Sequence, residues 1–175
     1  NTAQWALGGF YASLAPSLAR IVTGLHSPLL GGGVVATLVL SGAVAVLALR
    51  TRPARAVLAG GTGALIVGLG VTLAGVQWHS TAAFFAGSAI AGLGFGAAFN
   101  GTLRSLVPLA EAHERAGLMS TFFVLSYLAF SVPAIVAGLV AGRIGLQAAA
   151  MGYGLLLAAL AGTALAMMAR RRDAA

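Results

Sequence analysis

Six apolar runs, each about twenty residues long, follow one another along this chain, and short polar breaks divide them. The arginines collect in alternate breaks. A helix needs about 20 apolar residues to cross roughly 30 Å of hydrocarbon, so six such runs in 175 residues call for a bilayer rather than water. Charged residues make up only 7% of the chain and hydrophobic residues 59%, whereas a soluble domain carries about 25% charged residues. The formal charge of +7 does not indicate nucleic-acid binding. A duplex needs a continuous, water-facing basic surface, and here the cations lie between apolar runs, where loops face anionic lipid.

The spans are expected at about 4–25, 29–49, 56–76, 81–103, 117–141 and 147–168. Strict alternation of apolar and polar residues is absent, which excludes a membrane barrel. The fold class is therefore all-α, a polytopic six-helix bundle. The breaks after the second, fourth and sixth spans hold Arg50, Arg52, Arg55, Arg104, Arg115, Arg170, Arg171 and Arg172, whereas the others hold only Arg143. Positive loops stay inside, so both ends of this segment are expected in the cytoplasm. Trp5 and Trp78 then fall near the inner and outer interfaces as amphipathic anchors.

All ten basic residues are arginine, which together with heavy Ala, Gly, Val and Leu usage points to a G- and C-rich, bacterial genome and hence to an inner membrane. The chain starts Asn-Thr-Ala-Gln and shows no signal-peptide pattern, as expected of a segment from a longer polypeptide. Without cysteine there is no disulfide or thiolate metal site. His26, His79 and His113 lie in or beside the breaks without metal-ligand spacing and read as solvated loop residues. No cofactor is implied.

Polar residues are spread unevenly. Gly9, Ser13, Ser17 and Arg20 recur along one face of the first span, Ser88, Gly92, Gly96 and Asn100 along the fourth, and Ser120, Val124, Tyr127 and Ser131 along the fifth. Polar groups in hydrocarbon must face other helices or a wet cavity. Two readings are open: a shared aqueous path lined by Ser13, Ser17, Arg20, Asn100, Tyr127 and Ser131, or hydrogen bonds that join helices. Arg20 likewise either orients an anionic group in a cavity or snorkels to the outer head groups. The second span gives only a weak signal from Thr37 and Ser41, and the third and sixth are nearly bare.

Gly92-x-x-x-Gly96 and Gly138-x-x-x-Gly142 allow close helix approach. Pro16 and Pro133 are expected to interrupt the first and fifth spans, each freeing a carbonyl beside polar residues. Transporters place their sites beside such broken helices. No Asp, Glu or His lies deep in any span, although proton-coupled carriers usually need one. Enzyme is the unfavoured class. Gly87-Ser88-Ala89 lacks the second glycine of an intramembrane serine protease, and zinc-protease, phosphate-loop and water-channel motifs are missing.

The order of the spans, the Arg-x-Arg-Pro-x-Arg loop at Arg50–Arg55, GLGFGAAFNG from Gly92 and ERAGLMSTFFVLSYLAFSVPAIVAGLVAGRIG from Glu114 together resemble the C-terminal half of a major facilitator superfamily transporter. The resemblance covers essentially the whole chain and is most specific from Glu114 to Gly145. It implies two inverted three-helix repeats, a cavity lined by the first, second, fourth and fifth spans, and alternating access against a missing N-terminal six-helix half that moves a small solute. It implies efflux, with proton antiport as one mode, on family analogy alone. The arginine loop resembles the degenerate second copy of the family's inner-loop signature and lacks its acidic residue. The expected partners are the lipid bilayer, the missing half and a small-molecule substrate, with no nucleic acid. The competing reading is a six-span scaffold or accessory subunit without transport.

Overall fold

The computed structural model describes residues 1–25 and 27–173, without the side chains of Pro28, Arg171, Arg172 and Asp173. The loop reading of His26 and the placement of the Arg171 and Arg172 side chains therefore lie outside the described residues. Seven α-helices account for nearly all of the rest: α1 (Thr2–Ser13), α2 (Ala15–Thr23), α3 (Pro28–Leu49), α4 (Ala54–Gln77), α5 (Thr81–Leu106), α6 (Arg115–Ile144) and α7 (Leu146–Asp173). No strand occurs among the described residues. Five helices, α3 to α7, are each long and apolar enough to cross a membrane, and they match the second to sixth expected spans to within a few residues. The chain is a multi-pass membrane protein. Large apolar side chains such as Leu40, Leu47, Leu128, Ile135, Leu139 and Leu155 lie on the outside, which suits lipid and is rare on a soluble monomer.

The first expected span is two helices. The chain turns at Leu14, whose N–H still bonds Phe10 O at 2.9 Å. Pro16 has no N–H, so the helical bond to Ala12 O cannot form. The ladder restarts beyond it with Ser17 N–H and Leu18 N–H both on Leu14 O, at 3.1 and 3.0 Å. Despite the break, this segment is the centre of the bundle. Leu7, Phe10, Tyr11, Ala15 and Leu18 are fully buried. Ala15, Leu18, Ala19 and Val22 turn the inner face of α2 to the core, and Ser17 and Arg20 fall on its other side.

Pro133 acts differently from the expectation. It lies inside a single continuous α6. A proline removes one hydrogen bond, which intact turns on either side and helical neighbours can tolerate in a membrane, so residue type alone does not decide whether the helix breaks.

The tightest packing joins α4 to α5, and glycine is the cause. Gly61, Gly68 and Gly75 on α4 and Gly87, Gly94 and Gly101 on α5 recur every seven residues. All six lie on the shared interface. A Cβ on Gly61 would stand 2.5 Å from Ala98 N, one on Gly75 2.5 Å from Phe84 N, and one on Gly101 2.6 Å from Leu58 N. Gly68 meets Ala91 backbone, Gly87 meets Thr72 and Gly94 meets Leu65 in the same way. The order of these pairs runs antiparallel, and a seven-residue period keeps two helices in contact through a left-handed supercoil. Gly92 and Gly96 do the corresponding work toward α3, against Leu38, Ser41 and Gly42. Gly138 and Gly142, expected to be a second close-approach pair, have no neighbour within 4 Å of a built Cβ.

On α1, Gly8 and Gly9 lie against Phe130 of α6, and Tyr153 of α7 donates to Ala6 O at 2.8 Å. Tyr11 and Thr72 hydroxyls meet at 2.8 Å in the core. Thr72 spends its own proton on Gly68 O, so Tyr11 is the donor. This bond ties α1 to α4 where apolar packing alone carries no register.

Candidate functional site

Hydroxyls are the first test of a wet seam. Ser13 donates to Gly9 O, Ser88 to Phe84 O and Ser131 to Tyr127 O, each at 2.7 Å. Every one of these acceptors lies four residues back on the same helix, a local bond that satisfies a hydroxyl without any partner helix. Ser13, Ser88 and Ser131 thus each bond a carbonyl of their own helix. The stripe of α5 is largely interfacial: Ser88 is fully buried, and Gly92 and Gly96 pack on α3.

The other candidate residues divide between two places. Arg20 is exposed and its Nη2 donates to Ser17 Oγ at 3.3 Å, so these two form one polar cluster on α2. Ser13 is exposed at the α1–α2 break, beside half-buried Pro16. Tyr127 is 61% exposed on α6, and its hydroxyl makes no hydrogen bond among the described residues. Asn100 turns the other way, toward α3, where its Nδ2 reaches Val46 O at 3.4 Å. Its buried Oδ1 has no partner. Arg50 and Arg52 are exposed in the α3–α4 loop and Arg55 in the first turn of α4, and Arg104 of α5 donates to Arg52 O at 2.9 Å. His79 and His113 are exposed outside the spans.

Asn100 thus gains one long hydrogen bond and leaves its Oδ1 buried and unsatisfied. We expect Asn100→Leu to leave the thermal unfolding midpoint unchanged or raised, because an interhelical hydrogen bond in a membrane averages about 0.6 kcal/mol and the orphaned acceptor goes with it. A fall as large as that of a core truncation would show that the Val46 bond organises the α3–α5 contact.

A different set of residues converges where α1, α5 and α6 meet. Trp5 stands edge-on to Phe95, Phe99, Phe123 and Tyr127, with ring centroids 6.5, 6.2, 6.3 and 5.4 Å away. Beside it Gln4, only 3% exposed, donates Nε2 to Phe95 O at 3.2 Å. Asn1 Nδ2 donates to Ser126 Oγ at 2.9 Å and adds a polar link from α1 to α6. Trp5 Nε1 and Gln4 Oε1 are both buried without a partner. A donor and an acceptor are therefore left open within one aromatic cluster, each costing about 1–3 kcal/mol where nothing fills it. Tyr127 and Phe123 are exposed and form the outer side of the cluster.

The cluster lies well inside the ends of α5 and α6. Phe95 and Phe99 lie eleven and seven residues before the end of α5, about 10–16 Å in at 1.5 Å per residue. Tyr127 lies twelve residues into α6, about 18 Å. The ends of α5 and α6 therefore extend past the start of α1, and the Trp5 ring packs between these helices. Trp78, by contrast, is 76% exposed at the end of α4.

Of the candidates chosen for polarity, only Tyr127 belongs to this cluster. Gln4, Phe95, Phe99 and Phe123 are not among those candidates, and Trp5 is there only as an expected interface anchor. The available signal was the pairing of aromatic residues four apart, Phe95 with Phe99 and Phe123 with Tyr127, which stacks them on one helical face. No family model, no curated protein and no solved structure matches this chain.

Proposed function

We propose that this chain is the C-terminal half of a major facilitator superfamily carrier in a bacterial inner membrane, moving a small amphipathic solute by alternating access. The observation that carries it is the aromatic cluster, in which Trp5 Nε1 and Gln4 Oε1 lack partners inside an apolar bundle. A solute with an apolar body, one donor and one acceptor matches both atoms and the surrounding rings.

Helix arrangement supports the reading. Taken together, α1 and α2 run from Thr2 to Thr23, which is about 33 Å at 1.5 Å per residue, enough for a sixth crossing. Its break at Leu14 is close to the middle, where carriers of this kind place discontinuous helices. In the proposed inverted repeats, α1–α2, α3 and α4 correspond to α5, α6 and α7. One exchanged pair is present, since α3 packs on α5 as α6 packs on α1, and α4 also packs on α7; the tight α4–α5 seam has no counterpart of similar extent between α7 and α1. The contact order along α1 runs parallel to α6, with Trp5 beside Tyr127 and Gly9 beside Phe130. That direction is the one alternating crossings give the first and fifth spans. The arginine-rich loops support a cytoplasmic position for both ends of the segment.

In this reading the exposed Tyr127, Ser13 and Arg20 side chains face the missing N-terminal half across the cavity. That half supplies the opposing wall and, for proton antiport, the carboxylate, because the spans here contain no Asp, Glu or His. The test is uptake or efflux by the intact carrier in proteoliposomes. Arg20→Ala is expected to lower transport of an anionic solute about tenfold, the effect of losing one hydrogen bond to a charged group, while folding stays intact. Unchanged kinetics would assign Arg20 to the outer head groups.

A further inference from the structure

The C-terminal half of α3 and the N-terminal half of α4 do not close on each other. Both lean on α5, and between them is an open groove of about 660 Å³, within the range of small-molecule sites. Its walls are small residues, among them Ala45, Ala48, Gly60 and Ala64, and its floor is Leu93 and Ala97 of α5. Small side chains on both walls are why the space exists. A Cβ on Gly60 would meet nothing within 4 Å. The lining is almost wholly apolar except at one end, where Arg52 contributes.

That end is the most basic part of the described structure. Arg50 ends α3, Arg52 occupies the turn, Arg55 is in the first turn of α4 and Arg104 is brought in by its bond to Arg52 O. None of the four is paired with a carboxylate among the described residues. The N-terminus of α4 also lacks a side-chain cap. An apolar trough ending in unpaired guanidinium groups at the membrane edge has the two-part chemistry of one molecule. We infer that the α3–α4 groove binds an anionic phospholipid, with an acyl chain along Ala48 and Gly60 and the phosphate on Arg52 and its neighbours. Guanidinium groups offer phosphate paired donors, and the lipid is already concentrated at a basic loop. The other open groove, at Pro16 and Gly31, has no charged residue in its lining and lacks this complementarity.

The experiment is thermal unfolding of the intact protein in neutral detergent, titrated with phosphatidylglycerol, with phosphatidylcholine of the same chains, and with inorganic phosphate. Phosphatidylglycerol alone is expected to raise the midpoint. Arg52→Gln is expected to weaken its apparent affinity about fivefold, the effect of one basic residue at an anionic surface. Gly60→Leu, which fills the trough, should abolish the lipid-specific shift, and Arg143→Gln should keep it. Equal shifts with both lipids, a shift reproduced by inorganic phosphate, or an undiminished shift in Arg52→Gln and Gly60→Leu would each overturn the site. If Gly60→Leu does not fold, Arg52→Gln decides alone.

Discussion

Gly68→Val is expected to lower the unfolding midpoint sharply, whereas Gly70→Val, two residues along the same helix, should behave as wild type. Gly68 faces α5, and a Cβ there collides with the backbone of Ala91 and Ile90. A backbone cannot rotate away as a side-chain tip can. Relief requires α4 and α5 to separate, and separation undoes the neighbouring contacts of Gly61, Gly75, Gly87, Gly94 and Gly101. It also pulls Thr72 from Tyr11. Gly70 is exposed and a Cβ there meets nothing within 4 Å. Overpacking a well-packed core costs about 3 kcal/mol at the upper end of its usual range, so the Gly68 variant should melt roughly 10 °C lower where it folds at all. The measurement is the unfolding midpoint and the monodisperse yield in detergent for both variants. Midpoints within about 2 °C of each other would refute the packing argument, since one valine would then fit where the geometry leaves no room.

The second large effect is at Trp5. In the carrier proposed above, Trp5→Ala removes four edge-on ring contacts and the free indole N–H, and transport efficiency should fall more than about tenfold, a loss of roughly 1.4 kcal/mol. Trp5→Phe separates the two contributions. It keeps an aromatic ring and deletes only the donor, so KM should rise about fivefold, as expected for one hydrogen bond of about 1 kcal/mol. Gln4→Leu removes the matching acceptor and should act on KM in the same direction. A purely structural role predicts another pattern: a lowered unfolding midpoint with KM unchanged among the molecules that remain folded. That result would remove the aromatic cluster as the solute site.

How far these expectations could be reached from residues alone differs from one feature to the next. The helix positions were legible, because in hydrocarbon a backbone must satisfy its own hydrogen bonds and the apolar runs mark where it does so. Pro16 and Pro133 looked equivalent, yet one lies at a break and the other inside a continuous helix. The serine stripes were real periodicities that said nothing of what they faced, since Ser13, Ser88 and Ser131 all bond carbonyls of their own helices. Trp5 stands near the start of a run, and only the packing of the helices shows how far α5 and α6 extend past it.

The glycines show the division most clearly. By itself the sequence determined that this is an all-helical, multi-pass membrane chain and roughly where each helix begins and ends, because those follow from local hydropathy and backbone satisfaction. Only the tertiary structure decided which helices touch. Gly138 and Gly142 carry the close-approach spacing and meet nothing, whereas the seven-residue series on α4 and α5 forms the tightest seam in the bundle. A small residue permits approach without choosing the neighbour. In lipid there is no hydrophobic force to make the choice, so it falls to the mutual fit of whole helical faces, a property of pairs of segments that neither contains alone.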